Sequence, residues 1–293
     1  MSELFSTWGL LAAASKLTIY LTSFLAVGTL LFRVALPRAG DEVANALRPL
    51  AIAAALLAIV ATVFRVMVQG GRLMDDWAGM VDPEIIMISL EGPLGQSSYV
   101  RLGGLAFILL AALFRPVRAP ATLFGAIMVA GSFALTGHAT REPQWLLGGL
   151  ITFHLLAVAY WFGALAPLYR LTLFEGGTAH AADVADRFGR QASIIVPMLV
   201  LAGGGFAYLL LGGIQPLWTS AYGRMLLVKL ALVGVVLGIA ALNKLRFVPA
   251  LATDAQRAAP QFRRSLQIEA AAFLFVFAAT ALLTTSFTVP EVE

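Results

Sequence analysis

The chain has 293 residues, of which 60% are hydrophobic and only 12% charged, and its mean hydropathy is +0.87. Those proportions exclude an ordinary soluble domain and define an integral membrane protein. The net charge of +4 and pI near 9.7 then describe loop charges at a membrane surface rather than a nucleic-acid partner, and with no cysteine there are no disulfides and no thiolate metal sites.

A membrane-spanning helix needs about 20 largely apolar residues. Windows of that length predict eight spans, near residues 8–32, 47–68, 98–114, 119–138, 145–174, 192–214, 222–245 and 266–287. The apolar runs are too long, and too poor in alternation, for a transmembrane barrel. The expected fold is all-α: a polytopic bundle of eight transmembrane helices forming one transmembrane domain over 1–293. The start, MSELFSTWGLLAAASKL, is acidic and lacks a small-residue cleavage motif, so it reads as leading into a retained helix.

In chain order, the first span contains Lys16, about 12 Å along the axis from Trp8. The second loop carries Met67, Met74, Met80 and Met87, half of the eight methionines, among Asp75, Asp76, Asp82, Glu84 and Glu91. Within it, Pro83 fits the first turn of a short interfacial helix over 84–90. Arg101 opens the third span, His138 closes the fourth, and His154 and Trp161 lie in the fifth. A polar loop over 176–191, containing His180, precedes the sixth span, whose Gly203-Gly204-Gly205 run permits close helix approach. Arg224, Met225 and Lys229 stand in the first turns of the seventh span, and Glu269, near the start of the eighth, is expected to pair with loop arginines.

Lys and Arg concentrate in the first, third, fifth and seventh loops. The positive-inside bias makes those loops cytoplasmic and both termini periplasmic. The second loop, His138 and the entrance to the fifth span then face outward.

His138 and His154 are the leading candidates for chemistry, because imidazole suits copper, iron and zinc and intramembrane ionisable groups point to function. They share one ligand if the fourth helix ends deep, act as successive stations if it does not, or simply hydrogen-bond neighbouring helices. Trp161 lies two turns beyond His154 on nearly the same face, where it walls a cavity or packs. Thioethers select Cu(I), so Met67, Met74, Met80, Met87 and Met225 are candidate entry ligands, although no dense Met motif is present. Lys16, Arg101, Arg224 and Lys229 either snorkel or bind carboxylates such as haem propionates or lipid phosphates. Haem b held axially by His138 and His154 is the alternative cofactor. No nucleotide-binding loop, nucleophile elbow or zinc-protease motif occurs, so neither ATP-driven pumping nor an enzyme is expected.

Several segments occur together in order: Gly137-His138-Ala139, His154 through Trp161-Phe162-Gly163, Arg187-Phe188, Ala221-Tyr222-Gly223-Arg224 through Lys229, Asn243-Lys244, Pro249, and Arg263-Arg264-Ser265-Leu266 to Glu269. On these the chain resembles the bacterial copper-resistance D (CopD/PcoD) family, related to the membrane part of YcnJ-type importers. The resemblance implies an inner-membrane protein that moves copper from periplasm to cytoplasm, often beside a periplasmic CopC-like partner. It also implies that His138 and His154 are copper ligands, with Trp161 shaping the site. The expected function is therefore Cu(I) import; the alternatives are a haem b redox protein and a non-transporting copper chaperone for oxidase assembly.

Overall fold

The Ser6 hydroxyl accepts a hydrogen bond from the Gly9 amide and starts the first helix, α1, Thr7–Ala35. In this computed structural model, which describes residues 6–39, 41–137, 142–173, 178–287 and 289, α1 packs on helices from both halves of the chain. Then follow α2 (Asp41–Met74), a tight turn at Trp77–Met80, α3 (Pro83–Glu91), α4 (Pro93–Leu113), α5 (Arg118–Ser132) and α6 (Gln144–Leu171). The second half contains α7 (Thr178–Leu211), the short α8 (Pro216–Thr219), α9 (Ala221–Leu242), α10 (Val248–Thr253) and α11 (Ala255–Ser286). Eight of the helical segments are long and apolar enough to cross a membrane, and there are no strands among the described residues. The expected all-α polytopic architecture is therefore correct.

Two ends of the bundle can be told apart. At the near end, where α1 begins, Trp8 lies against Trp77 with ring centroids 4.9 Å apart. Trp8 also joins Ala12, Val68 and Met80 in a small apolar cluster. At the far end, His180 Nε2 approaches the Ala39 carbonyl at 3.3 Å and Arg263 donates to the Thr172 carbonyl at 3.1 Å.

The closest helix contacts are made by glycine. A Cβ on Gly28 of α1 would fall 1.8 Å from the Ala159 carbonyl oxygen of α6, and one on Gly163 would fall 2.3 Å from the Gly28 backbone. Backbone-to-backbone approach of this kind maximises dispersion between helices whose outer faces are equally apolar. Gly104 and Gly125 bring α4 and α5 together in the same manner. Around α1 the core is aromatic: Phe24 meets Phe277 at 5.6 Å, and Phe277 meets Phe162 at 5.2 Å.

Several boundaries differ from the hydropathy reading. α2 continues to Met74 and α4 begins at Pro93, leaving the short helix α3 between them, capped by the Asp82 carboxylate on the amides of Glu84 and Ile85. The polar segment expected as a loop over 176–191 is helical from Thr178. Its Ala181, Ala182, Val184, Ala185 and Phe188 are buried, while Asp183–Arg187 and Asp186–Arg190 form i,i+4 ion pairs on the outer face. The basic segment after α9 likewise forms a π-helical turn at Asn243–Phe247, then α10, then the first turns of α11. α5 ends at Ser132 and passes through a tight turn, Phe133–Leu135, to Gly137 at φ +68°.

Because the α1–α6 contact has no room for a methyl group, Gly28→Ala and Gly163→Ala are each expected to destabilise the protein by about 1–3 kcal/mol, the usual cost of overpacking. Gly234→Ala, whose Cβ would meet nothing within 4 Å, is the control expected to be neutral or stabilising. Thermal unfolding in detergent measures all three.

Candidate functional site

The interior holds polar groups in three places. In the near half, α1, α2 and α4 present Lys16, Arg65 and Arg101. Arg101, 4% exposed, donates from Nε to Ser132 Oγ at 3.1 Å and from Nη2 to Ser97 Oγ at 2.9 Å. Its guanidinium lies 4.2 Å from the centre of the Phe133 ring, a cation–π arrangement. Lys16 Nζ donates to the Thr284 carbonyl at 2.8 Å and to its hydroxyl at 3.1 Å, tying α1 to α11. Arg65 reaches Gln69 at 3.4 Å, and its buried Nε has no acceptor. The charges of Arg65, Arg101 and Arg72 all bear on Lys16. Lys16 and Arg101 thus lie in the same half of the bundle, each held by its own partners, and Arg65, which hydropathy places only at a span end, is buried there too.

The second place is His154, half-buried on α6 about 15 Å from the start of that helix. Its Nδ1 lies 3.3 Å from the Leu199 carbonyl of α7. A carbonyl only accepts, so this contact puts the proton on Nδ1 and leaves the lone pair on Nε2, which has no hydrogen-bond partner among the described residues. Gly203 makes room for the ring: a Cβ there would fall 2.8 Å from His154 Cε1. The glycine run in α7 thus opens space for an imidazole at its first residue. Lys229, half-buried on α9, is close enough for its charge to act on His154.

The third place lies farther along α6. Trp161, about 10 Å beyond His154 on α6, donates from Nε1 to Glu269 Oε1 at 2.8 Å. Asn243 Nδ2 donates to Glu269 Oε2 at 2.7 Å. Glu269 is 2% exposed and makes no ion pair among the described residues, so the expected pairing with loop arginines is absent. Arg263 bonds the Thr172 carbonyl instead. These side chains border a cavity of about 340 Å³, walled by Leu165, Val196, Pro197, Leu237 and Phe262, with Lys244 bonded to Ser193 at its far edge. Leu199 and Gly203 at the histidine, and Val196 and Pro197 at the cavity, are successive turns of α7. Lys229 and Leu237 relate the two levels in the same way on α9. His154 and the cavity therefore lie at two levels along α6, α7 and α9, about two helical turns apart.

The remaining candidates are dispersed. His138 lies outside the described residues, three residues past the turn that ends α5. Met67 is half-buried on α2, Met74 is exposed, and Met80 packs in the cluster with Trp8. Met87 is 57% exposed on α3, and Met225 packs in a different cluster with Tyr222 and Leu226. Arg224 is exposed and reaches the Thr219 carbonyl at 3.4 Å. Among the described residues no group of three or more His, Asp or Glu side chains is assembled for a metal ion.

Eight long apolar helices with a few polar side chains buried between them are the architecture of a polytopic membrane protein. The family description "Copper resistance protein D-like, N-terminal domain" matches residues 4–149, and "Copper resistance protein D" matches residues 182–283. The chain is 30% identical over 239 residues to the inner membrane protein YebZ of Escherichia coli K12, covering 79% of this chain and 82% of that protein. It is 28% identical over 312 residues to copper resistance protein D of Pseudomonas syringae pv. tomato, covering 97% and 98%. No solved structure matches. The chain belongs to the copper resistance protein D family.

The near-half cations differ in how they are held, which predicts opposite effects. Arg101→Met, losing two hydrogen bonds and the Phe133 contact, is expected to lower stability by about 2 kcal/mol. Arg65→Met, removing a buried donor without an acceptor and a charge that acts on Lys16, is expected to be neutral or stabilising. Paired thermal melts of the two variants check the sign.

Proposed function

We propose that this protein is a multi-pass inner-membrane protein that imports copper, with the near end of the bundle in the periplasm, the far end in the cytoplasm, and His154 Nε2 as the intramembrane ligand. The observation that carries this reading is the anchoring of His154 Nδ1 on the Leu199 carbonyl. Metal-binding histidines characteristically donate their second ring N–H to a carbonyl or carboxylate, which fixes the tautomer and aims the other nitrogen at the metal. Membership of a copper-resistance family supports copper as the cargo.

Copper arrives from the periplasm, by a CopC-like partner or as the free ion, at the face bearing Met67, Met74, Met80, Met87 and Met225, and is taken up by His138. It passes to His154 and leaves through the cavity beside Trp161 toward the cytoplasm. Imidazole and thioether donors favour Cu(I). The Lys229 charge near His154 favours it too, since repulsion by an ammonium group is half as large for a single as for a double positive charge. Inward movement of one positive charge gains about 2.3 kcal/mol per 100 mV of inside-negative potential, so the protein acts in transport without ATP hydrolysis or other catalysis.

His154→Ala is expected to abolish stoichiometric Cu(I) binding to the purified protein, and full retained binding would overturn the assignment. Gly203→Ala, which drives a methyl group onto the imidazole, is expected to weaken copper binding about tenfold while His154 remains present. A tenfold loss corresponds to about 1.4 kcal/mol. Uptake into sealed proteoliposomes separates transport from chaperone action: a chaperone binds copper but loads none into the lumen. A Soret band in the purified protein would select the haem b reading over copper.

A further inference from the structure

The cavity beside Trp161 opens sideways. α9 packs chiefly on α11, and α7 on α6 and α10, so the two helices that flank the cavity are not drawn together. Exposed Ser193 and Pro197 of α7 stand on one side of the gap, and exposed Ala241 of α9 and Lys244 on the other. Most of α7 and α9 is itself exposed, so the gap gives onto the bilayer. Inside, the walls are hydrocarbon: Leu165, Val196, Leu237, Phe262 and Leu266. The polar groups at the inner end are engaged with one another, since the Trp161 indole and the Asn243 amide each donate to an oxygen of Glu269. A buried water needs two to four polar partners, which these walls do not offer. Left empty, the walls would forfeit dispersion contacts on one side. A hydrocarbon chain, the solvent on the other side of the gap, restores them, and about 340 Å³ takes a segment of one such chain.

The mouth of this apolar slot carries a positive charge. Lys244 belongs to the π-helical turn that follows α9. Its stem reaches over Gly189 of α7, where a Cβ would fall 3.7 Å from Lys244 Cγ, and its ammonium group is bonded to the Ser193 hydroxyl. That partner is neutral, and Lys244 makes no ion pair among the described residues. Asp186 and Asp183, one and two turns before Gly189, are already paired with Arg190 and Arg187. Arg246, two residues beyond Lys244, is exposed as well. An ammonium group with only a hydroxyl partner, at the end of an apolar helix where lipid headgroups begin, is suited to a phosphate. Slot and cation together match the two parts of one molecule, an acyl chain and an anionic headgroup.

We propose that the cavity between α7 and α9 is a binding site for one anionic phospholipid of the leaflet at the far end, with a segment of acyl chain against Leu237 and Phe262 and the phosphate at Lys244. The site stands on its own geometry and does not rest on the copper reading. On that reading, chain and departing ion use the same space, so the chain has to withdraw from beside Trp161 before the ion passes.

The test uses the purified full-length protein, free of copper and depleted of lipid in detergent, so its failure leaves the copper reading standing. Dioleoyl phosphatidylglycerol or dioleoyl phosphatidylcholine is added and thermal unfolding followed. Tm is expected to rise and saturate, as for a ligand that binds only the folded state. Half-saturation is expected at about fivefold lower concentration for the anionic lipid, the effect of one basic side chain on an anionic headgroup. In Lys244→Gln that preference is expected to be lost. Equal half-saturation in the wild-type protein would overturn the proposal, as would an undiminished preference in Lys244→Gln. Entry of the chain is read separately, with phosphatidylglycerol carrying brominated acyl chains, which quench tryptophan fluorescence on contact. Trp161 is 5% exposed and borders the cavity, so the part of the emission that Trp161→Phe removes is expected to be quenched in the wild-type protein. Its persistence at full intensity would overturn the site. If Trp161→Phe does not fold, competition on the wild-type protein decides: quenching relieved at lower concentration by unbrominated phosphatidylglycerol than by phosphatidylcholine supports the site, and equal relief overturns it.

Discussion

The contact between Gly28 and Gly163 sets the position of α6, and with it the positions of both intramembrane sites. α1 is the hub of the bundle, packing on α2, α5, α6 and α11, so a helix fixed against it is fixed against most of the protein. At the crossing, the Gly163 Cβ position lies within 2.3 Å of the α1 backbone. A larger residue would push α6 outward by more than the tolerance of a hydrogen bond. Trp161 lies two residues before Gly163 on the same helix, and its 2.8 Å bond to Glu269 depends on that spacing. So does the approach of His154 to the Leu199 carbonyl, because α7 packs on the opposite side of α6. Two residues without side chains thus set the geometry of two that carry chemistry.

The second constraint is the separation of charge. Thr284, which receives Lys16, and Glu269 are fifteen residues apart on α11, about 22 Å along the axis. Between them runs a continuous aromatic layer. Phe133 beneath Arg101 meets Tyr20 at 5.3 Å, Phe24 meets Phe277 at 5.6 Å, and Phe273 meets Trp161 at 5.4 Å. The positive groups of the near half therefore do not neutralise the negative group of the far half. Each charge must be satisfied locally, the cations by hydroxyl and carbonyl oxygens and a π face, the carboxylate by an indole and an amide. This explains why Ser97, Ser132 and Thr284, polar residues inside apolar helices, are buried or half-buried where they stand.

What the sequence revealed, and what it did not, follows from the range of the signals. The eight crossings were legible because twenty apolar residues in a row have one physical reading in a bilayer. The short helix after Asp82 was legible from Pro83, since proline fits the first turn and the preceding aspartate caps it. The first turns of α7 were not legible, because averaged hydropathy cannot distinguish a polar loop from a helix with one buried alanine face and one face of Asp–Arg pairs. The depth of Arg65 was hidden for a related reason: an arginine at the edge of an apolar window looks like a boundary, yet α2 continues two more turns beyond it to Met74. Glu269 was visible as a residue, but its partners were not. Trp161 is 108 residues away and Asn243 is aimed by a π turn, and neither long-range packing nor an i→i+5 distortion leaves a periodic trace in the sequence.

On the copper reading proposed above, the donors along α6 are ordered by hardness. A soft imidazole nitrogen lies at the level of Gly203, and oxygen acceptors lie two turns farther along. There, a soft monovalent ion moving along α6 leaves a donor it prefers for donors it does not, so the chemical step alone runs uphill. Two terms offset that loss: the negative charge of Glu269, which acts on any cation regardless of softness, and the displacement of the ion from the neighbourhood of Lys229. Moving away from an ammonium group toward a carboxylate is favourable over the whole distance. On the proposed copper reading, the fixed charges favour movement from the histidine toward the far end, which the ligand preferences alone would oppose.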